Sequence, residues 1–281
     1  MKKTTAIFIS AILAAAFAAL VYYGLQHSRG VPIKIEKIER PLIEVNFADK
    51  EIDLSQGLGN EIWDSIKPIE IPLMYQITVI PWPKPRGEVR PVTVKAFHNK
   101  EDIYFYLNWK DDTEDRPLRE NKFSDGCAIM FPMNEKAEPA TIMMGFLGRS
   151  NIWHWKAAND MQYWMKQLPV TEAYTDFYYP FEEEEIFAVS KEIPESAVSD
   201  LLAIRVGTIT PKDVQRVSGR GFWKEGNWHA IFKRTLKGVD PEEDADFRPG
   251  KKLSAFAVWN GAIGDRGGRK VISDWVDLDI R

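Results

Sequence analysis

The chain has 281 residues, 44% of them hydrophobic, which is enough for one large domain or two small ones. Its formal net charge of −4 provides no basic field, so we expect no nucleic-acid partner. With a single cysteine there is no CxxCH or CxxC motif, which excludes an intrachain disulfide, a covalent c-type haem and an iron–sulfur cluster held by this chain alone.

The N-terminus combines a basic start with a long apolar run. Lys2 and Lys3 precede residues 6–25, which contain no charged side chain. This pattern predicts either a cleaved export signal within residues 1–28 or a retained membrane anchor, because the run just reaches the roughly 20 residues that span a bilayer. In both cases the lysines stay in the cytoplasm, so we expect the remainder in the periplasm or an equivalent extracytoplasmic compartment.

Residues 29–60 are interpreted as a linker and lead-in, and residues 61–281 as one domain. In this domain, short runs rich in β-branched and aromatic residues alternate with Gly, Pro, Asn and Asp turns, which is typical of antiparallel strands. The predicted strands are 74–82, 91–99, 102–110, 127–133, 142–148, 185–193, 201–208, 228–236, 253–261 and 270–280. The segments FHNKED and WKEGNW have the composition of hairpin turns.

Only residues 155–168 are predicted to be helical, as an insertion between strands. The predicted fold is therefore all-β, an antiparallel β-sandwich of the jelly-roll type with a short helical insertion and an N-terminal apolar helix. The histidines form no HxH or HExxH pair, and no phosphate-loop, dinucleotide or GxSxG motif is present. We therefore expect no hydrolytic or nucleotide chemistry of its own.

The stretch DGCAIMFPM, residues 125–133, holds the cysteine and two methionines. Alternation along a strand places Met133 on the face of Cys127, Ile129 and Phe131, and Met130 on the other face. A methionine at such a position is either core filler or a thioether ligand for a metal. Cys127 is interpreted as a small apolar filler.

Lys270 is in register with the more apolar face of the last predicted strand, directly after the turn GDRGG. Such a lysine either stands at the strand mouth and extends its amine to water, or is buried and loses its proton. The neutral amine then has a lone pair that can bind a metal. The pattern alone leaves both interpretations open.

Several stretches of the chain are similar, in order and spacing, to the haem b-binding γ subunits of the type II dimethyl sulfoxide reductase group of molybdoenzymes. That group includes ethylbenzene dehydrogenase, dimethyl sulfide dehydrogenase, chlorate and selenate reductases and nitrite oxidoreductase. The stretches are DGCAIMFPM, IMMGFLGRSNIWHWKA, GFWKEGNWHAIFKRTL, AFAVWNGAIGDRGGRK and ISDWVDL. The resemblance runs from about residue 60 to the C-terminus and is most specific in NIWHWKA and FAVWNGAIGDRGGRK.

The resemblance implies a β-sandwich related to family 9 carbohydrate-binding modules, with one non-covalent haem b held by a methionine and a lysine. It maps the lysine onto Lys270, with Lys156, Lys224 and Lys233 as alternatives. It maps the methionine onto Met133, with Met143 and Met144 as alternatives. Further cofactor-binding residues are interpreted as wall residues or as partners of the haem propionates; they are Trp153, Trp155, Trp259, Arg266 and Arg269, and an ordinary core or a solvated turn explains them equally well.

The implied function is electron transfer without catalysis. The expected partners are a molybdopterin catalytic subunit, an iron–sulfur subunit and an external carrier, either a soluble cytochrome c or a membrane component. Two other hypotheses stay open at this point. One is an exported carbohydrate-binding module without haem, whose tryptophans stack on sugar rings. The other is a structural subunit that keeps the fold but has lost the cofactor.

Overall fold

A computed structural model describes the greater part of the chain, in ranges separated by short gaps. The ranges are 39–76, 89–116, 122–133, 148–167, 173–178, 183–188, 193–205 and 208–281, with the backbone alone for 173–178 and 183–188. The predicted signal or anchor, residues 6–25, and the methionines Met143 and Met144 lie outside these ranges. Within the described ranges, no helix is long and apolar enough to cross a membrane.

The described residues form sixteen strands and two short α-helices. The strands are β1 (Leu42–Phe47), β2 (Ile69–Ile71), β3 (Met74–Tyr75), β4 (Val92–His98), β5 (Asp102–Lys110), β6 (Gly126–Pro132), β7 (Ser150–Lys156), β8 (Ala173–Tyr178), β9 (Glu183–Ala188), β10 (Val198–Ala203), β11 (Thr210–Pro211), β12 (Ser218–Lys224), β13 (Asn227–Thr235), β14 (Gly250–Trp259), β15 (Val271–Ile272) and β16 (Val276–Ile280). The helices are α1 (Ile62–Ser65) and α2 (Ala157–Met165), and 3₁₀ turns occur at Leu54–Gln56 and Gly261–Ile263. The prediction of an all-β fold is confirmed.

Most strands belong to one large sheet, in the order β11-β10-β7-β6-β14-β16-β1-β4-β5-β13-β12. Strands β2, β3 and β15 attach to its sides, and β8 pairs only with β9. The pairings are antiparallel apart from those of β1, which runs parallel to β16 and to β4. The sequence assigns residues 42–47 to the lead-in, but they form a central strand that buries Ile43 and Val45.

The large sheet curls so that its two halves pack face to face, as in a β-sandwich. Aromatic rings from β5 and β13 meet rings from β7: the centroids of Phe105 and Trp153 are 5.9 Å apart, and those of Trp155 and Trp228 are 5.0 Å apart. Cys127 is fully buried in this core. Each such side chain contributes about 1.5–3 kcal/mol by leaving water, so the core stabilises the fold without a disulfide.

Several predicted elements differ in extent from the observed ones; the predicted strand 201–208, for example, is β10 at Val198–Ala203. The predicted helix 155–168 begins at Ala157, because Trp155 and Lys156 belong to β7, which pairs with β6 and β10.

The predicted strand 270–280 is divided into β15 and β16. The register against β14 shifts by one residue between them, from Ala257 opposite Ile272 to Ser254 opposite Val276. At the break, the N–H of Ser273 donates to Phe256 O at 2.8 Å, and its Oγ accepts from Phe256 N–H at 2.9 Å.

Candidate functional site

The face of the sheet that points away from the core on β6, β7, β14 and β15 carries the candidate site; we call it the outer face. Register places outward-pointing residues of neighbouring strands side by side. One row contains Trp259, Gly126 and Lys156, and the next contains Ile272, Ala257, Ala128 and His154. Val271 pairs with Val258, so Lys270 lies beside Trp259 at the end of the first row.

Short side chains form the middle of the outer face. Ala128 and Ala257 lie between the larger side chains of Ile272 and His154, and Ala255 lies in the following row, opposite Met130. At the glycine of the first row no side chain fits, because a Cβ on Gly126 would lie 3.0 Å from Trp155 O and 3.6 Å from His154 Nε2. Ala128, Ala257, Trp259 and Ile272 form a buried apolar cluster on this face.

Lys270 lies beside this cluster. Its Nζ is 5.2 Å from the centroid of the Trp259 ring and 3.4 Å from Gly267 O. The side chain is partly exposed, yet the protein atoms around the amine desolvate it and lower the pKa of Lys270 to about 8, with the charge of Asp265 opposing this shift. Loss of the proton is therefore easier than for an exposed lysine, and the neutral amine is a nitrogen donor for a metal.

His154 lies on the other side of the same tryptophan. Its ring stacks on Trp259 with centroids 4.5 Å apart and 26° between the planes. Burial, reinforced by the positive charges of Lys156 and Lys270, lowers the pKa of His154 well below its usual value, so the imidazole is neutral. Burial also lowers the pKa of Lys156. The outer face thus presents three nitrogen groups near Trp259, a neutral imidazole and two lysine amines.

Only part of the predicted site is brought together. Trp259 and Lys270 are in contact, whereas Trp153 and Trp155 point to the opposite face and are fully buried in the core. Their Nε1 atoms donate to Asn151 Oδ1 at 3.1 Å and Asp160 Oδ1 at 3.0 Å. Alternation in NIWHWK explains the difference, because it turns both tryptophans inward and His154 outward.

Met133 is not close to Lys270. It lies just beyond the end of β6, half-buried, with its N–H donating to Arg149 O at 2.9 Å. Gly126, in the row that ends at Lys270, is seven residues away, which corresponds to about 23 Å at the rise of a strand. Two axial ligands must both reach one iron, so the strand register does not support a pair of Met133 and Lys270.

The structure places two further methionines on the outer face, Met130 and Met74. Met130 is paired with Ala255, and Met74 of β3 is paired with Ile272 and is 41% exposed. Alternation along the sequence already turned Met130 away from the core. Met74 lies near the site only through the pairing of β3 with β15, which carries no local sequence signal.

Arg266 and Arg269 flank the turn that precedes Lys270 and bond to each other through their backbones. The Arg266 guanidinium lies 4.4 Å from the centroid of the Phe123 ring and donates to Gly264 O at 2.9 Å. Arg269 is buried. Their predicted role as partners of haem propionates stays a prediction.

Buried carboxylates hold the loop that follows Trp259. Asp125 accepts hydrogen bonds from the N–H groups of Gly261 and Asp115 and from Trp228 Nε1, at 2.7–2.9 Å. Asp111 accepts from Asn260 Nδ2 at 3.0 Å through Oδ1, whereas its buried Oδ2 has no hydrogen-bond partner. Among the described residues, no group of three His, Cys, Asp or Glu could hold a metal ion, so these carboxylates are interpreted as structural.

Burial raises the pKa of Asp125 to about 7 and that of Asp111 to about 6, and each carboxylate also repels the charge of its neighbours. Because Asp111 Oδ2 has no hydrogen-bond partner, whereas both oxygens of Asp125 accept N–H groups, we infer that Asp111 Oδ2 carries a proton below a pH of about 6. The folded state then binds this proton more tightly than the unfolded chain does. The free energy of unfolding is therefore expected to fall as the pH rises from about 4 to about 7.

Asp111→Asn is expected to remove much of this pH dependence. The amide keeps the Oδ1 acceptor for Asn260 but cannot ionise, and a shift from 3.8 to about 6 corresponds to about 3 kcal/mol. The measurement is urea unfolding between pH 4 and 8. Asp112→Asn, at an adjacent aspartate with 82% of its side chain exposed, is the control. Equal pH dependence in Asp111→Asn and wild type would contradict the assignment of the proton to Asp111.

Comparison with known proteins identifies related chains. Residues 60–271 match the family model described as ethylbenzene dehydrogenase. A Haloferax mediterranei protein named as a respiratory nitrate reductase heme subunit is 25% identical over 79% of this chain. The dimethylsulfide dehydrogenase subunit gamma of Rhodovulum sulfidophilum is 25% identical over 66% of it, and the chlorate reductase subunit gamma of Ideonella dechloratans is 23% identical over 63%.

The chain spans 67%, 58% and 59% of the lengths of these three relatives, respectively. Among solved structures, a family 9 carbohydrate-binding module from Caldicellulosiruptor kristjanssonii in complex with cellotriose is similar over 85% of this chain and 93% of that module. The TM-score is 0.44 and the sequence identity is 8%.

Proposed function

Because the chain belongs to the ethylbenzene dehydrogenase family, we propose that it is a non-catalytic electron-transfer subunit that binds one haem b without covalent attachment. The names of its relatives, a heme subunit and two gamma subunits of redox enzymes, support this proposal. The observation that carries it is the position of the Lys270 amine over the Trp259 ring on the outer face, where burial lowers its pKa to about 8 and so eases the loss of the proton that metal binding requires. When bound, the haem would supply a one-electron redox centre.

The chain's own residues then have defined tasks. Lys270 would hold the iron through its amine nitrogen, with the ring of Trp259 beside the amine. The apolar side chains of the outer face would contact the flat ligand, and the neutral His154 supports the Trp259 ring by stacking on it. For the sulfur ligand we propose Met143 or Met144, the alternatives that the resemblance gives, because the strand register does not support Met133.

The proposed partners are a molybdopterin catalytic subunit, where the substrate reacts, and an iron–sulfur subunit that exchanges electrons with this chain. The enzyme is of the nitrite oxidoreductase type or a related enzyme for oxyanions or hydrocarbons. A soluble cytochrome c or a membrane carrier is the external electron partner. The apolar run at residues 6–25 supports export to the periplasm or an equivalent compartment, with removal of the run or anchoring through it.

The direct test is the visible spectrum of the purified native complex, together with the identity of the chains that co-purify. We expect a b-type spectrum, a pigment that acid acetone extracts, and co-purification of molybdopterin and iron–sulfur subunits. A colourless full chain that binds sugars would instead support a carbohydrate-binding module. A colourless chain that still assembles with a molybdoenzyme would support a structural subunit without cofactor.

The sulfur ligand can be assigned by substitution. We expect either Met143→Leu or Met144→Leu, but not both, to abolish the low-spin spectrum, because leucine keeps the apolar volume and removes the thioether. Met133→Leu is the control and is expected to keep the spectrum. The measurement is the visible spectrum of the oxidised and reduced full chain. A spectrum lost only in Met133→Leu would contradict this assignment.

A further inference from the structure

Lys156 lacks the acidic partners that Lys212 and Lys233 have. Lys212 is buried and pairs with Asp200 at 2.8 Å and with Asp244, and Lys233 pairs with Glu51 at 2.9 Å and Asp102 at 3.2 Å. Lys156 is half-buried at the end of β7, and within the described part of the chain its amine makes no hydrogen bond and no ion pair. Its charge is therefore uncompensated among the described residues.

Lys156 shares the outer face with a second positively charged side chain, that of Lys270. Lys156 and Lys270 both act on His154, whose ring lies between Lys156 and Trp259, and both oppose its protonation. Removing a charged group from water costs several kcal/mol unless an opposite charge or hydrogen bonds compensate it. An anion at this end of the row would supply that compensation.

The positions of Lys156 and Lys270 on the sheet also suit a shared ligand. Lys156 and Lys270 stand at the two ends of one row, with Trp259 and the bare Gly126 between them. They are separated by three strand spacings, about 14 Å. At Gly126 the side chains of His154 and Lys156 occupy the space above the backbone, because His154 Nε2 and Lys156 Cγ would lie 3.6 and 3.8 Å from a Cβ there. A flat ligand with a metal at its centre and carboxylates on one edge can contact both lysines at once.

We propose that Lys156 is a binding residue for the carboxylate edge of the ligand, pairing its ammonium with a haem propionate while Lys270 binds the iron. This inference rests on the proposed function. The two lysines of the outer face would then have different roles. The neutral amine of Lys270 would bind the metal, and the charged ammonium of Lys156 would pair with the propionate. It also fixes the orientation of the haem, with its propionates directed toward the C-terminal end of β7.

The test compares ligands that differ only in the proposed contacts. The full chain, depleted of haem, is titrated with haem b, with haem b dimethyl ester and with metal-free protoporphyrin, and binding is followed by quenching of tryptophan fluorescence. Lys156→Gln keeps the length of the side chain and removes its charge. We expect it to weaken haem b and protoporphyrin binding by about ten- to a hundredfold, the range of a charge-assisted hydrogen bond, and to leave the ester unaffected.

Controls separate this role from a structural one. Lys156→Arg is expected to restore most of the affinity for haem b, and Lys224→Gln, at a lysine with 66% of its side chain exposed, is expected to change nothing. Equal losses for haem b and its ester would overturn the proposal, because the substitution would then have damaged the site as a whole. Loss of the low-spin spectrum in haem-saturated Lys156→Gln would also overturn it, because Lys156 would then be the axial ligand. A wild-type chain that binds none of the three would instead refute the proposed function itself.

Discussion

Lys270→Ala is expected to convert the bound haem from a low-spin to a high-spin spectrum and to weaken haem binding by at least tenfold. The substitution removes the only amine that the structure places against Trp259 within the described residues. Under the proposed ligation the iron would lose one of its two axial ligands, so water or an empty position would replace the nitrogen and the ligand field would weaken. Visible absorption and electron paramagnetic resonance of the full chain measure the change.

Small amines provide a rescue experiment for the same variant. Alanine leaves space where the lysine side chain ran, so added methylamine or propylamine is expected to restore the low-spin spectrum of Lys270→Ala with a saturable dependence on concentration. Lys224→Ala is the matched control and is expected to keep the wild-type spectrum, because its side chain is 66% exposed. An unaltered low-spin spectrum in Lys270→Ala would show that another residue is the ligand.

The sequence predicted the fold class better than the connections that build the site. Strand alternation and turn residues are local signals, so β4, β5, β6 and β13 were predicted almost to the residue. Alternation also correctly turned Met130 away from the core, where it pairs with Ala255. The strand at residues 42–47 was missed, because only two of its six residues are buried and its parallel partners are distant in sequence.

The candidate site depends on contacts that no local pattern contains. Lys270 meets Trp259 through a tight turn, and Lys156 joins the same row only through the pairing of β14 with β6 and of β6 with β7. The missing acidic partner of Lys156 is a property of the packed structure. For Trp153 and Trp155 the sequence left a haem wall and an ordinary core equally open, and the structure buries both in the core.

Gly261 shows why a motif residue can matter without touching a ligand. It lies in FAVWNGAIGDRGGRK, two residues after Trp259, at the start of a 3₁₀ turn. A Cβ on Gly261 would lie 1.9 Å from Phe123 O and 2.7 Å from Phe123 C. Its N–H donates to Asp125 Oδ1 at 2.8 Å, so the glycine lets this loop lie directly against the segment that leads into β6.

Gly261→Ala is therefore expected to lower the free energy of unfolding by about 3–5 kcal/mol, which combines overpacking against a backbone with the weakening of a buried hydrogen bond to a carboxylate. Gly59→Ala, where a Cβ meets no atom within 4 Å, is the matched control and is expected to stay within about 0.5 kcal/mol of wild type. Urea unfolding of the full chain without haem measures both. Because the loop joins Trp259 to Lys270, the variant is also expected to bind haem more weakly while Lys270 itself is intact. Wild-type stability in Gly261→Ala would mean that the loop can move away from Phe123 at no cost. The close approach of the two segments would then not require a glycine at this position.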